Sequence, residues 1–212
     1  MLKEFCAENY TLIPTAIERG AGRIELCDNL AVGGTTPSNG VIIQVLDYCK
    51  NLSIPVVTMV RPRGGDFIYS KQEIHIMEED VKNAVRLRTD GLVFGCLTAE
   101  DRIDRSQMRE LLALAGNTEV TFHMAFDQIP AEAQFEEMDW LIEQNVSRIL
   151  THGRLGGDIT DNLDRLNDLI QYAAGRIENL PGGGINYQNL PFLAEKLQTN
   201  QFHGTKIVAL NS

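Results

Sequence analysis

RIELC, residues 23–27, alternates without a break. In an extended strand successive side chains point to opposite faces, so Ile24 and Leu26 share one face while Arg23, Glu25 and Cys27 share the other. EVTFH, residues 119–123, repeats the arrangement with Val120 and Phe122 on one side and Thr121 and His123 on the other. A continuous apolar core layer has no place for Glu and His at strand ends. A barrel does: its apolar outer face packs on helices, and its inward face can turn polar near the C-terminal rim.

Outward from these two stretches the same rhythm fills the chain. Strands are predicted at LKEFC, RIELC, PVVTMVR, GLVFG, EVTFH, RILTH, RIENL and QFHG. Helices are predicted between them, over 11–20, 39–51, 71–88, 105–115, 132–145, 161–174 and 186–197. In SKQEIHIMEEDVKNAVRL, Ser70 followed by Glu73 reads as a capping box, and Ile74, Met77, Val81 and Val85 recur at helical spacing. Eight strands alternating with helices predict an α/β chain, a (β/α)8 TIM-type barrel forming one domain over residues 1–212. The length of 212 residues is near the floor for that fold. An open doubly wound sheet is the competing architecture.

The net charge of −10 argues against a general binder of nucleic acid or anionic membranes, which needs clustered Lys and Arg. MLKEFCAENY is too charged for a secretory leader, and no run has the length of a membrane span. A cytoplasmic setting is expected, with Cys6, Cys27, Cys49 and Cys96 as free thiols.

Residues at or just after the strand ends form the candidate site. Glu4 and Cys6 come from strand one, Glu25 and Cys27 from strand two, and Arg61 from strand three. His123 and Asp127 come from strand five, and His203 from strand eight. Carboxylates, an arginine and histidines converging on one rim suit acid–base chemistry, with Arg61 fixing an anion. The competing reading is a structural ion pair between Glu25 and Arg61, with histidines serving backbone groups. In MVRPRGGDFIYS, residues 59–70, Asp66 is expected to hold Arg63 or Arg61. Three glycine-rich loops precede helices. The one after strand seven, Gly182, Gly183 and Gly184, is a candidate anion loop, although none matches the P-loop pattern.

RIELC, GGTTPSNG, RPRGGDFIYS, GLVFG, VTFHMAFD, PGGGI and FHG, taken in this order, resemble the CutC copper homeostasis family from the first strand to the last. The resemblance implies a cytosolic barrel that handles copper and binds copper(I) through cysteines of its first two strands, here Cys6 and Cys27. It also implies a cup containing Glu25, Arg61, His123 and Asp127. Met124 stands where the family pattern has Arg, and LTHG in place of LTSG adds His152 to the expected rim.

Two functions from different classes follow. One is a copper-handling protein whose thiols, expected at equal heights on neighbouring strands, converge on a soft ion. Buried free cysteines are also ordinary core residues. The other is an enzyme acting on a small anionic substrate, in which Glu25, His123 and Asp127 supply acid–base groups and Arg61 binds charge. Schiff-base chemistry is not expected, because Lys206 falls after strand eight and Lys3 points outward. Finally, TKIVALNS is too short for an eighth helix. Phe202, Ile207, Val208 and Leu210 are therefore expected to be exposed, and a homodimer to cover them.

Overall fold

The computed structural model describes residues 1–210. Its strands are β1 (Leu2–Glu8), β2 (Arg23–Cys27), β3 (Val56–Met59), β4 (Gly91–Phe94), β5 (Glu119–Phe122), β6 (Arg148–Thr151), β7 (Glu178–Pro181) and β8 (Gln201–Gly204). The helices are α1 (Ile13–Glu18), α2 (Asn39–Lys50), α3 (Lys71–Leu87), α4 (Arg105–Ala115), α5 (Gln134–Glu143), α6 (Leu163–Ala173) and α7 (Leu190–Lys196). All the ladders are parallel, in the order β7-β6-β5-β4-β3-β2-β1-β8. This is the barrel, nearly closed; a hydrogen-bonded ladder is lacking only between β7 and β8 among the described residues.

The alternation in the sequence builds the two faces. Ile24, Leu26, Phe5 and Phe202 pack outward with Ile13, Ala16 and Val45 of the helices. Phe94 and Phe122 do the same with Met77, Val81, Leu111 and Leu141. Inside, Glu4 pairs with Arg23, and Arg148 with Glu119, towards the strand starts. Above them lies a small apolar layer that includes Val57, Val93, Met59 and the thiols of Cys6 and Cys27. Ser70 and Glu73 form the capping box on α3. Before α7 the chain makes a turn instead of entering a helix at Asn186. The Asn186 side chain accepts from the N–H groups of Gln188 and Asn189, and the helix starts at Leu190.

The end of the chain overturns one expectation. Phe202, Ile207 and Val208 are buried, and Leu210 is half-buried. Beyond β8 there is no helix among the described residues. The tail instead crosses to the loop after β7, where Lys206 bridges Asn186 and its carbonyl accepts from Tyr187 N at 2.8 Å. Apolar side chains of the tail thus plug the seam that an eighth helix would cover. The exposed patch offered as the ground for a dimer is therefore missing. Asn211 and Ser212, the last residues of that tail, lie outside the described residues.

Candidate functional site

A cavity of about 580 Å³ opens at the C-terminal ends of the strands. Cys6, Glu25, Arg61, His123 and His203 all line it, together with Gly183 and Gly184. Parallel strands carry their last inward residues to this rim, which is why the alternating stretches deliver their polar ends here.

Glu25 is the hub. One of its oxygens, Oε2, accepts from Cys6 Sγ at 3.1 Å and Cys27 Sγ at 3.5 Å, and lies 3.7 Å from His203 Nε2. On the other side of the imidazole, His203 Nδ1 donates to Glu4 Oε1 at 2.8 Å. Burial pulls His203 towards the neutral form, but the Glu25 charge, Cys6 and Glu4 outweigh it and raise its pKa well above 6.5. The ring lies between two carboxyl groups, hydrogen-bonded to Glu4 and 3.7 Å from Glu25, a setting that favours its protonated form. Burial pushes Glu4 up too; His203 and Arg23 more than offset this and bring it down to about 2. Glu25 is raised, by burial first, with the Glu4 charge adding to it against His203. The Glu25–Arg61 ion pair of the competing reading is not formed among the described residues.

The two cysteines are not level. The register pairs Cys6 with Glu25 and Glu8 with Cys27, so Cys27 sits one inward position higher, as barrel stagger requires. Their sulfurs converge nevertheless: the Cys6, Cys27 and Glu25 ligand atoms all lie within 4.8 Å of one another. Cys6 reaches the cavity while Cys27 is fully buried behind it. The Cys27 neighbour and burial push the Cys6 thiol well above 9.0. Cys27 is lowered by Cys6, but burial and the Glu25 carboxylate leave it at about 11. A second donor set, Glu4, Glu25 and His203, also falls within 4.8 Å, without His123.

Arg61 lines the cup as expected, and main-chain carbonyls hold its guanidinium there. Its guanidinium donates to the carbonyls of Val32 (2.8 Å), Gly34 (3.1 Å) and Gly65 (2.7 Å), and its centre sits 4.8 Å above the Phe67 ring. The arginine thus clamps the β2 and β3 loops together, a junction so close that a Cβ at Gly64 would stand 2.6 Å from Val32. Asp66 holds Arg63, at 2.9 Å, with Glu73 on the other side of the guanidinium. The arginine pair of MVRPRGGDFIYS is therefore divided between the cup wall and a surface brace.

Asp127 is not in the cup. It accepts from the Thr151 hydroxyl and from His152 N at 2.9 Å, tying the turn after β5 to β6. Burial pushes it up to about 6 against those bonds. His152 is also absent from the cavity lining, with Nδ1 3.1 Å from the Gly182 carbonyl and Nε2 3.3 Å from that of Gly157. Gly182 is likewise engaged, its N–H donating to Thr151 O at 2.9 Å. His123 does line the cup, its Nδ1 accepting from Ala125 N at 3.3 Å. Sequence reasoning missed the apolar walls, Met59, Phe67 and Leu150, and set Lys206 aside; the bridge to Asn186 places that lysine at the rim.

Residues 1–208 match the model of the CutC family. The chain belongs to the CutC family. A CutC protein of Enterococcus faecalis is 53% identical over 209 residues, covering 98% of this chain and all (100%) of that one. The human copper homeostasis protein cutC homolog is 40% identical over 202 residues, 95% of this chain and 72% of its own length. The crystal structure of a CutC protein from Streptococcus agalactiae superposes with a TM-score of 0.95 at 43% identity, covering 98% of this chain and 100% of that one. An aldolase barrel, at a TM-score of 0.70 and 13% identity, shares the fold alone.

Proposed function

We propose that this CutC chain acts in copper homeostasis by binding Cu(I) at the floor of the cup through Cys6 and Cys27. The observation that carries the reading is the convergence of both sulfurs and the Glu25 carboxylate within 4.8 Å. Soft thiolates select Cu(I) over hard divalent ions. The second donor set suits a hard ion less well, because His203 Nδ1 already donates to Glu4 while Nε2 lies 3.7 Å from Glu25, so the ring is engaged with both carboxyl groups. Copper is cargo in this reading, and it meets Cys6 first, since Cys27 lies behind it.

The thiols are protonated in the free protein, so binding must expel their protons. Glu25, in contact with both sulfurs, is placed to receive one. Affinity is therefore expected to rise with pH below the thiol pKa values. Four free, buried cysteines fit a reducing compartment, and we place the chain in the cytoplasm on that ground.

The test is an anaerobic titration against a chromophoric Cu(I) chelator under reducing conditions. Wild type should hold one equivalent. A variant carrying both Cys6→Ser and Cys27→Ser should hold none, since a hydroxyl is a poor ligand for a soft ion. Equal affinity in the two proteins would remove the thiols from the site.

A further inference from the structure

The upper part of the cup is built for something other than a metal ion. Around the rim, the main-chain N–H groups of Gly183 and Gly184 donate to no other group among the described residues. Both glycines have positive φ, 80° and 82°, and both face the cavity. Lys206 and Thr205 stand beside them on the segment after β8. Lys206 forms no ion pair among the described residues and is exposed. Deeper in the wall, His123 is 3% exposed and its Nε2 has no partner. With Nδ1 accepting from Ala125, Nε2 carries the proton of the neutral ring and is a buried donor without an acceptor.

The charge of this cavity has the opposite sign to that of the chain. Against a net −10 overall, the lining contains the two cations Arg61 and Lys206, and Glu25 is its one carboxylate. Between the charged groups lie Met59, Phe67, Met124 and Leu150, an apolar wall. A volume of about 580 Å³ holds a small organic molecule and is far larger than a lone ion needs.

We infer that the cup binds a small organic phosphate monoester, with its phosphate on the Gly183–Gly184 main chain and Lys206 and its carbon body against Met59, Phe67 and Leu150. Adjacent free N–H groups and a lysine present several donors to the terminal oxygens of one tetrahedral anion, a recurring way of holding phosphate. His123 Nε2–H then donates to an oxygen carried on the body of the ligand. Both positions favour glycine through their positive φ, and at Gly183 the loop also packs closely: a Cβ there would stand 2.7 Å from His152 Nδ1 and 3.2 Å from Met124 Cε.

Phenyl phosphate is a suitable probe, titrated calorimetrically into the copper-free, reduced chain and followed in ¹H–¹⁵N spectra. Saturable binding that moves the Gly183 and Gly184 amide signals is expected. Lys206→Gln, on an exposed side chain, should weaken binding about tenfold or more through loss of one charge-assisted contact. Met124→Glu, which sets a carboxylate beside Gly183, should abolish it. The variant lacking both Cys6 and Cys27 thiols should bind the probe as wild type does, so the copper site and this one succeed or fail separately. Equal binding of phenol would assign the affinity to the apolar wall and overturn the proposal. So would the absence of saturable binding at millimolar probe, or binding that leaves Lys206→Gln unaffected and the two amides unmoved.

Discussion

His123 directly follows β5, its ring against Phe67 with the centroids 4.6 Å apart, and burial together with the Arg61 charge lowers its pKa to about 3. In the unfolded chain the same group protonates near 6.5. As pH falls below 6.5 the unfolded state gains a proton that the folded state refuses until about pH 3, so stability is lost on acidification. Between pH 6.5 and about pH 5 the loss amounts to roughly 2 kcal/mol. Asp127 works in the opposite sense: its folded pKa of about 6 lies above 3.8, so the folded state takes up that proton first. Comparing His123→Gln with wild type removes the Asp127 contribution, which both share. Urea midpoints should show the variant less sensitive to this pH step by about that 2 kcal/mol; parallel pH profiles would mean the ring is not held neutral. Alternation alone places His123 and Glu25 on the inward face. It says nothing of their partners, and Arg61 shows the limit: a strand-end arginine looks the same in sequence whether it meets a ligand or three carbonyls.

The elements follow their local rules closely, and RIELC and QFHG coincide with β2 and β8 to the residue. The departures cluster after β7, where α7 starts at Leu190 because Asn186 and Asn189 side chains engage the main chain of the preceding turn. This turn belongs to the β7–β8 seam, which has no ladder among the described residues. There Gly204 of β8 faces Ile185 O so closely that no Cβ fits between them. Gly204→Ala should therefore lower stability by about 1–3 kcal/mol, as overpacking does when the neighbour is backbone that cannot rotate away. A denaturation curve checks this, and a neutral result would show the seam to be pliable.

For the molecule as a whole, the tail does the work of a missing helix. Ile207 is 0% exposed and packs in the outer core with residues of β1, β8 and α7. Ile207→Ala should cost about 2–5 kcal/mol, in the range of large-to-small substitutions at sites that cannot collapse. A loss below about 1 kcal/mol in urea or thermal unfolding would mean that the tail lies on the barrel without sealing it. The chain also separates its charges at this scale: carboxylates dominate the total, while the cup collects cations at one end of the barrel.

The sequence by itself determined the barrel, its inward and outward faces and the rim on which the polar strand ends gather. Each depends on side-chain period and strand count, which are local properties of the chain. Family membership was legible for a similar reason, since its motifs are short contiguous runs such as RPRGGDFIYS and VTFHMAFD. Tertiary structure alone decided which rim residues share the cup. Asp127 turns away to β6, Arg61 clamps loops, Glu4 holds His203 from the neighbouring strand, where the two are register partners, and Lys206 returns to the rim. Each of these joins residues of different strands or loops, Glu4 and His203 being 199 positions apart. Such pairings are set by stagger and loop closure, and side-chain period has no term for either.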